Sequence, residues 1–442
     1  MPKVGLTTLG CKVNQYETQR ILDSFEQAGY EVVPFNEVAD VYVINTCSVT
    51  SQAESKSRQT VRRAERQNPN AKVIVTGCAA QMSLNKGERF DGADLLVPNP
   101  EKLDTLKKFF QTFPELKSER EGIKKYSRAF SGRTRATLKI QDGCDVYCSY
   151  CSIPYTRPEM RSINYKQVIQ EAKTFAKRGY KEIVLTGVLI GSYGKETGSG
   201  GPNFEDLLEL ICEQEEITQL RISSIETTQV TDRLIQLMKQ SNSKIVSHLH
   251  IPLQSGSTKV LRDMNRPYTQ KDYLDLCDKL YAEIPDIAIS TDIMVGFPTE
   301  IDEAFTETVK VCETARYNKA HIFRFSPRYG TPADEFGDKI PDRIKQERSK
   351  ILKEITDRTR REFIEKQIGK TQVVLVEGRA KPEGLMRGLT RNYIEVEFPG
   401  PASLAGCLAN VVLTGVNGTE GVGELVSKIS DTSRVKMLNV VR

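Results

Sequence analysis

Tryptophan is absent from the sequence, and histidine occurs at only three positions, 248, 250 and 321. A mechanism that depends on several histidines as acids or bases therefore has few residues to use. No stretch approaches the ~20 consecutive apolar residues of a membrane-spanning helix. The first residues, MPKVGLTTLGC, also lack the apolar run and the cleavage site of a signal peptide. We therefore expect a cytoplasmic protein with no membrane segment.

The charge of the chain is close to balanced. Lysine and arginine total 63 against 58 aspartate and glutamate residues, a formal net charge of +5 over 442 residues. So small an excess does not by itself indicate a nucleic-acid partner. Basic residues are nevertheless concentrated in two stretches, residues 51–67 and 124–139. Each stretch is either a solvated face or a contact for phosphate groups, and the sequence leaves both interpretations open.

Apolar runs divide the chain into three segments, and together they predict an α/β protein. Residues 1–125 alternate strand and helix patterns, which predicts a Rossmann-like domain with a parallel sheet. Residues 133–365 contain six strand–helix units, which predict a partial or full (β/α) barrel. Residues 369–433 contain four or five short strand patterns, which predict a small β-barrel. Near the N-terminus, Asn14 and Glu17 are predicted to form a capping box for a helix that ends before Gly29.

Three of the ten cysteines form the pattern C-x3-C-x2-C. Cys144, Cys148 and Cys151 follow a strand predicted to end at Ile140. The spacing brings three thiolates close enough to bind three corners of one metal cluster. A structural zinc site would need a fourth ligand, which the neighbouring sequence does not offer. A [4Fe–4S] cluster with three protein ligands would leave one iron open to a substrate or cofactor.

A second set of cysteines is distributed along the first segment. Cys11, Cys47 and Cys78 each come directly after a predicted strand. The carboxyl ends of parallel strands meet at one edge of a sheet, so these three should converge there. We predict a second three-cysteine cluster site, because a disulfide framework is unexpected in a reducing compartment. The remaining cysteines are expected to pack in the protein core, and they are Cys212, Cys277, Cys312 and Cys407.

These patterns resemble the radical S-adenosylmethionine (SAM) superfamily and, within it, the methylthiotransferases. The likeness covers nearly the whole chain and is carried by TLGCKVNQYET, VINTCSVT, GCDVYCSYCSIPYTR, LTGVLIGSYG, RISSIE, HLHIPLQSGS, DIMVGFPTE and FSPRYGTPA. The resemblance implies two [4Fe–4S] clusters, with SAM as both methyl donor and radical source. It further implies that the (β/α) barrel is a radical-SAM barrel and that the small β-barrel is an RNA-binding TRAM-like module.

The resemblance also suggests residues that contact the cofactor. Tyr150 could place its ring near the adenine, and Gly187 would allow the methionine part to approach the backbone. Glu226 could accept hydrogen bonds from the ribose hydroxyls, while Gln254 and Ser255 would offer a further polar edge. Each of these residues could equally have a structural role at the end of a strand.

The substrate implied by the resemblance is an adenosine in transfer RNA. The stretch around Cys11 is most similar to the branch that adds a 2-methylthio group to N6-threonylcarbamoyladenosine at tRNA position 37. The implied partners are tRNA, a low-potential electron donor and a sulfur source. Isopentenyladenosine in tRNA and an aspartate of a ribosomal protein are the alternative targets within the family. Outside it, an RNA-binding iron–sulfur electron carrier and a zinc-dependent RNA-binding protein remain alternatives.

Some residues depart from the family pattern near the expected active face. Pro158, Glu159 and Met160 intervene before Arg161, Leu189 occupies a position where a polar residue is usual, and Thr227 replaces a common proline. Arg157 and Arg161 are candidates for contacting the threonyl carboxylate, although their loop position also allows a structural role.

Overall fold

The computed structural model describes residues 1–48, 51–117, 134–196, 200–240, 243–381 and 383–429. The chain divides into two units. The first comprises the described residues of Met1–Ser131 together with Asp142–Tyr147 and Cys151–Met160, and the second comprises the rest. The predicted domain limits near residues 125, 133 and 433 lie in or beside stretches outside the described residues, so those limits stay predictions.

The first unit is built on a five-stranded parallel sheet in the order β2-β1-β3-β4-β5. Each residue of the strand at Val41–Thr46 is buried, as expected for the centre of a sheet covered on both faces. This sheet confirms the predicted Rossmann-like domain. Its elements are, in chain order, β1 (Lys3–Thr8), α1 (Lys12–Gln27), β2 (Glu31–Val33), β3 (Val41–Thr46), α2 (Ser51–Gln67), β4 (Lys72–Gly77), α3 (Cys78–Asn85), β5 (Leu95–Leu96) and α4 (Thr105–Thr112).

Helix α1 begins earlier than the sequence predicted. Cys11 is its N-cap residue and makes no side-chain capping bond, so the predicted capping box of Asn14 and Glu17 is wrong. Gly10, at φ +96°, turns the chain sharply after β1 and lets the helix begin at Lys12. Asn14 and Glu17 consequently lie within the helix, on the face that is buried in the protein.

The second unit contains a (β/α) barrel of six parallel strands. Two three-stranded sheets, ordered β10-β9-β6 and β11-β12-β13, are joined by parallel bridges from Leu220 to Ile245 and from Ser224 to His250. The partial barrel is therefore confirmed. The elements from residue 136 onward are β6 (Ala136–Lys139), β7 (Gln141–Asp142), α5 (Ile153–Thr156), β8 (Arg161–Ser162), α6 (Tyr165–Lys177), β9 (Glu182–Thr186), α7 (Phe204–Cys212), β10 (Gln219–Ile222), α8 (Asp232–Lys239), β11 (His248–His250), α9 (Thr258–Asp263), α10 (Gln270–Glu283), β12 (Ala288–Val295), α11 (Asp302–Ala315), β13 (Lys319–Arg324), α12 (Pro332–Phe336) and α13 (Asp342–Glu365).

The C-terminal segment forms the predicted small β-barrel. Five strands close in the order β14-β15-β16-β18-β17. The strand at Leu385–Thr390 has the weakest strand pattern of the five, because Gly388 and Arg387 interrupt it. A Cβ at Gly388 would overlap the side chain of Val374 on the neighbouring strand, so the close approach of the two strands requires glycine. The strands are β14 (Thr371–Arg379), β15 (Leu385–Thr390), β16 (Glu395–Pro399), β17 (Leu408–Asn417) and β18 (Glu420–Lys428).

The turn between β15 and β16 contacts the amino ends of the (β/α) barrel strands. The Tyr393 ring stacks on His248 at a centroid distance of 4.0 Å and an interplanar angle of 13°. Arg391 donates to the backbone carbonyls of Ser243 and Ile245, both at 2.9 Å. The turn therefore covers this end of the barrel and leaves the carboxyl ends of the strands as its functional face.

Only one of the two basic stretches lies almost wholly within the described residues. Residues 51–67 form α2, on which Lys56, Arg62, Arg63 and Arg66 are exposed. Most of the stretch 124–139 lies outside the described residues. Within the part of the chain that is described, no helix is long and apolar enough to cross a membrane.

Candidate functional site

Three cysteines of the first unit lie at the carboxyl ends of neighbouring strands. Cys11 is the N-cap of α1, Cys47 directly follows β3, and Cys78 is the first residue of α3 after β4. Strands β1, β3 and β4 are adjacent and parallel, so their ends gather at one edge of the sheet. A Cβ at Gly10 would lie 2.6 Å from the Cys47 sulfur, which shows how closely the turn before Cys11 approaches Cys47.

The thiols of this edge interact electrostatically. The Cys11 residue is exposed to solvent, but many protein atoms surround its sulfur. This burial of the sulfur raises the pKa of the thiol. The charge of Arg157 opposes the rise in the pKa of Cys11, while the nearby Cys78 adds to it. Asn99 directs its amide nitrogen at the Cys78 sulfur, 3.8 Å away. The edge therefore combines three thiols with a cation and an amide donor.

A buried network of charges lies beside these cysteines. Glu17 accepts from Lys102 at 2.6 Å and from both terminal nitrogens of Arg157 at 2.9 and 2.8 Å. Arg157 also donates to Asn14 at 3.0 Å and to Asp142 at 2.5 Å. Burial and then the charge of Arg157 lower the pKa of Lys102. Burial also opposes the charge on Arg157, but Glu17 and Asp142 raise the pKa of Arg157 well above its usual value.

This network gives Arg157 a structural position. Its side chain is 3% exposed, and its guanidinium donates to Glu17, Asn14 and Asp142. Protein oxygens accept four hydrogen bonds from its two terminal nitrogens, which are therefore not available to a substrate carboxylate. The hypothesis that Arg157 contacts the threonyl group is therefore not supported, whereas Arg161 is exposed.

The loop segments that carry Cys144 and Cys151 belong to the first unit. Asn99 donates to the Thr156 carbonyl at 2.8 Å and Asn85 donates to the Tyr155 carbonyl at 3.1 Å. Because Asn99 also reaches Cys78, one side chain connects the strand-end cysteine to the segment that follows Cys151. The amide thus links Cys78 to the backbone of the segment that follows Cys151.

Gly143 shapes the same loop. It has φ +80°, and a Cβ at this position would overlap the carbonyl oxygen of Glu159. Residues 143–152 are irregular, as the sequence predicted, and only Ile153–Thr156 forms a single helical turn. The backbone of Glu159 and Met160 therefore lies close against the turn that precedes Cys144.

In the second unit, Arg266 connects three of the residues that the sequence analysis selected. Its guanidinium donates to the Cys148 sulfur at 3.3 Å and forms an ion pair with Glu226. Burial opposes the charge of Arg266, but the nearby groups Tyr150, Tyr268 and Glu226 raise its pKa well above the usual value. The sequence analysis missed Arg266. The only sequence signal near Arg266 is that it lies between Asn265 and Pro267, two residue types that favour turns. In the structure, Asn265 has φ +56°.

The other residues selected as cofactor contacts have defined positions. At Gly187, a Cβ would lie 3.1 Å from Gln141 Oε1, and this oxygen accepts from the backbone of Val188 and Leu189. The small size of Gly187 thus accommodates Gln141. Gln254 has φ +66° and is held by backbone hydrogen bonds to β12. Ser255 is fully buried, and its hydroxyl accepts from a backbone amide in its own loop.

The donor set fits iron–sulfur clusters. Thiolates are the usual protein ligands of such clusters, and each set offers three cysteines. All ten cysteines are among the described residues, and none forms a disulfide. Of the four expected in the core, Cys277 and Cys312 are buried, while Cys212 and Cys407 are partly exposed.

Comparisons with known families and proteins agree with this architecture. Residues 3–97 match the uncharacterized protein family UPF0004, and residues 138–312 match the radical SAM superfamily. The threonylcarbamoyladenosine tRNA methylthiotransferase MtaB of Bacillus subtilis is 38% identical, and the alignment covers 98% of each chain. This chain belongs to the tRNA methylthiotransferase family of radical SAM enzymes. The members of this family are transferases. Their cofactors are SAM and [4Fe–4S] clusters, and the cysteines of this chain fit two such clusters.

Further relatives carry two different names. MtaB of Aquifex aeolicus is 37% identical over 90% of this chain and 97% of its own. The tRNA-2-methylthio-N(6)-dimethylallyladenosine synthase of Geobacillus kaustophilus is 34% identical over 96% of this chain and 82% of its own. The relatives of this methylthiotransferase are therefore named for two different tRNA nucleosides, threonylcarbamoyladenosine and dimethylallyladenosine.

Solved structures share the fold of the family. The radical SAM methyltransferase TsrM of Kitasatospora setae, determined with cobalamin and a [4Fe–4S] cluster, has a TM-score of 0.53 at 14% identity. That match covers 88% of this chain and 81% of the other. The cobalamin-dependent SAM radical enzyme OxsB has a TM-score of 0.52 at 12% identity, covering 78% of this chain and 56% of the other.

Proposed function

We propose that this enzyme adds a 2-methylthio group to N6-threonylcarbamoyladenosine at position 37 of tRNA. The observation that carries the proposal is the 38% identity to a threonylcarbamoyladenosine tRNA methylthiotransferase along 98% of both chains. The cysteines support the same reaction, because the sequence spacing gives one set of three and the strand order places Cys11, Cys47 and Cys78 at one edge of a sheet.

Each cysteine set would hold one cluster. Cys144, Cys148 and Cys151 are the proposed ligands of the [4Fe–4S] cluster whose open iron binds SAM. The second cluster is assigned to Cys11, Cys47 and Cys78. SAM bound at the first cluster would supply the methyl group and the radical. The second cluster would carry the sulfur to be transferred.

Within the first unit, buried contacts connect the sheet edge that carries Cys11, Cys47 and Cys78 to the segment that follows Cys151. Group transfer requires the donor and the acceptor to be positioned to within about an ångström. Asn99 contacts both Cys78 and the Thr156 carbonyl, and the Glu17–Arg157 pair ties helix α1 to the segment after Cys151. These buried contacts lie within one unit, so they can maintain the spacing that the transfer needs.

Arg266 would position the proposed cofactor contacts in the second unit. Its ion pair with Glu226 holds the carboxylate in one orientation, and a carboxylate held in this way can accept hydrogen bonds from ribose hydroxyls. Tyr150, beside Cys148 in the same unit, is proposed to lie against the adenine. Gly187, Gln254 and Ser255 complete the proposed cofactor residues, although Ser255 would need to expose its hydroxyl.

The proposal includes partners and location. The substrate is tRNA, recognised in part by the TRAM-like barrel, and the reaction needs a low-potential electron donor and a sulfur source. We propose a cytoplasmic enzyme, because tRNA is modified there. The domain limits 1–125, 133–365 and 369–433 are part of the same proposal.

Dimethylallyladenosine is the second candidate substrate, because relatives named for it are 33–34% identical over 96% of this chain. Nucleoside mass spectrometry decides between the two. The reconstituted enzyme would be given SAM, reductant and tRNA carrying either nucleoside. We expect the methylthio product from threonylcarbamoyladenosine only. Product from dimethylallyladenosine alone would overturn the proposed substrate.

Two cysteine variants test the roles of the clusters. Anaerobic reconstitution should yield about eight iron atoms per chain for two [4Fe–4S] clusters. The substitution Cys148→Ala should abolish both SAM cleavage and product. In contrast, Cys47→Ala should retain SAM cleavage while losing product. Full methylthiolation by Cys47→Ala would refute the assignment of the second cluster.

A further inference from the structure

Three strands of the (β/α) barrel bring together two histidines and an aspartate outside the cysteine sites. His250 lies on β11, Asp292 on β12 and His321 on β13. One ligand atom from each lies within 4.8 Å of the other two. His250 Nε2 is 3.2 Å from Asp292 Oδ2, and the two imidazole rings have a centroid distance of 5.9 Å.

The register of the strands explains why these side chains meet. Asp292 pairs with His321 across β12 and β13, while His250 pairs with Ser290, two residues before Asp292. Side chains two residues apart on a strand point to the same side, so Ser290 and Asp292 share a face. The intervening Thr291 contacts Tyr273 of the outer helix α10 at 3.3 Å. Asp292 therefore faces away from that helix, toward the inside of the barrel.

A hydrogen bond orients the His250 ring. Its Nδ1 lies 3.0 Å from the Ser290 hydroxyl, which is also 2.9 Å from His248 Nε2. In the tautomer whose Nδ1–H donates to Ser290, Nε2 presents its lone pair toward Asp292 Oδ2, 3.2 Å away. In that tautomer a metal ion can be held between this nitrogen and the carboxylate. Orientation of a ligand histidine through its other nitrogen is typical of metal sites.

We propose that His250, Asp292 and His321 form a binding site for a divalent transition-metal ion of the Zn²⁺ or Fe²⁺ class. Imidazole and carboxylate together suit these ions. Two ligands bonded to one ion at about 2.0–2.2 Å lie roughly 3 Å apart, which matches the His250–Asp292 separation. The His321 side chain is exposed, so a change of rotamer can bring its ring into the same coordination sphere.

Such a site would retain open coordination positions. Three protein ligands leave a zinc ion one position, and a six-coordinate ion three, for water or for an oxygen of another molecule. The site shares no residue with the six cysteines, Glu226 or Arg266. It therefore does not depend on which nucleoside the enzyme modifies, and the proposed function could fail while this site remains.

The test uses the anaerobically reconstituted holoenzyme, in which the six cysteines of the two sets would hold clusters. Isothermal titration with Zn²⁺ alone should show one saturable site per chain. Substituting His321→Ala should weaken binding by more than about tenfold, because removing a direct ligand exceeds the effect of removing an outer partner. Asp292→Asn should weaken it to a similar extent. The control is Asp275→Asn, an exposed acid paired with Lys271 on α10, which should leave the affinity unchanged.

Cobalt provides a second measurement. Co²⁺ should give a visible d–d spectrum on the wild-type holoenzyme, and His321→Ala should lose it while keeping the far-ultraviolet circular dichroism of the folded protein. Retention of the full Zn²⁺ affinity by both His321→Ala and Asp292→Asn would overturn the proposal. A wild-type protein without saturable binding would do the same.

Discussion

Glu17 is the centre of the buried charge network, and its removal gives a sharp prediction. The substitution Glu17→Gln keeps the shape of the side chain but removes its charge. Lys102 and Arg157, which both donate to Glu17, would then lack this compensation inside the first unit. Asp142 still contacts Arg157, but its side chain is 30% exposed and it cannot replace the buried partner of Lys102.

The magnitude follows from the burial of all three groups. Lys102, Arg157 and Glu17 have side chains that are 2–3% exposed. Removing one partner from a buried ion pair costs about 3–5 kcal/mol, because the remaining charge stays desolvated. For a unit of this size, that corresponds to a fall in melting temperature of about 6–20 °C.

Thermal unfolding followed by circular dichroism measures the effect, and hydrogen exchange of helix α1 locates it. The matched control is Glu54→Gln on α2. This residue pairs with Arg58 at 3.1 Å but is about a third exposed, so its loss should cost less than about 0.5 kcal/mol. Adding Lys102→Met to Glu17→Gln should recover part of the stability, because one uncompensated charge is removed. A change below about 1 kcal/mol for Glu17→Gln would refute the reasoning.

Three further predictions concern the glycine turn, the covered end of the barrel and alkaline pH. Gly143→Ala should lower the melting temperature more than Gly179→Ala, because both have positive φ but only Gly143 lacks room for a Cβ. Equal losses in thermal unfolding would contradict this. Tyr393→Ala should cost about 1–3 kcal/mol in urea unfolding by removing the ring stacked on His248, and no change would show that the stacking adds nothing. Burial raises the pKa of Cys312 to about 12, so it stays protonated in the folded state after it ionises in the unfolded state. The free energy of unfolding should therefore fall as pH rises above about 9. In anaerobic urea titrations, Cys312→Ala should reduce the slope of this fall by about 1.4 kcal/mol per pH unit. An unchanged slope would refute the raised pKa of Cys312.

The elements that carry the cysteines could be predicted from the sequence because their signals are local. Short apolar runs followed by cysteine mark β1, β3 and β4, and parallel order then brings the strand ends together. Strand β15 could not be predicted, because Gly388 serves a close approach to Val374 that is visible only in three dimensions. The ligand and cofactor roles of the predicted site residues stay predictions.

The contacts between charged residues could not be predicted from the sequence, for a different reason. Glu17 and Arg157 are 140 residues apart, and neither belongs to a recognisable local pattern of ion pairing. Glu17 instead matched a capping box, a local motif that competes for the same residue type. Arg266 likewise reaches Cys148 across 118 residues. Contacts of this length depend on the packing of whole domains, so only the structure reveals them.

The position of Arg157 changes how substrate recognition should be sought. A residue that contacts the threonyl carboxylate would affect threonylcarbamoyladenosine but spare a nucleoside without a carboxylate. Arg157 is buried against Glu17 and Asn14, so its loss should act through the position of the loop after Cys151. That effect does not distinguish the two nucleosides, and the relative activity on them should stay constant in Arg157→Lys. The search for the carboxylate contact therefore moves from Arg157 to exposed side chains, with Arg161 as the first candidate.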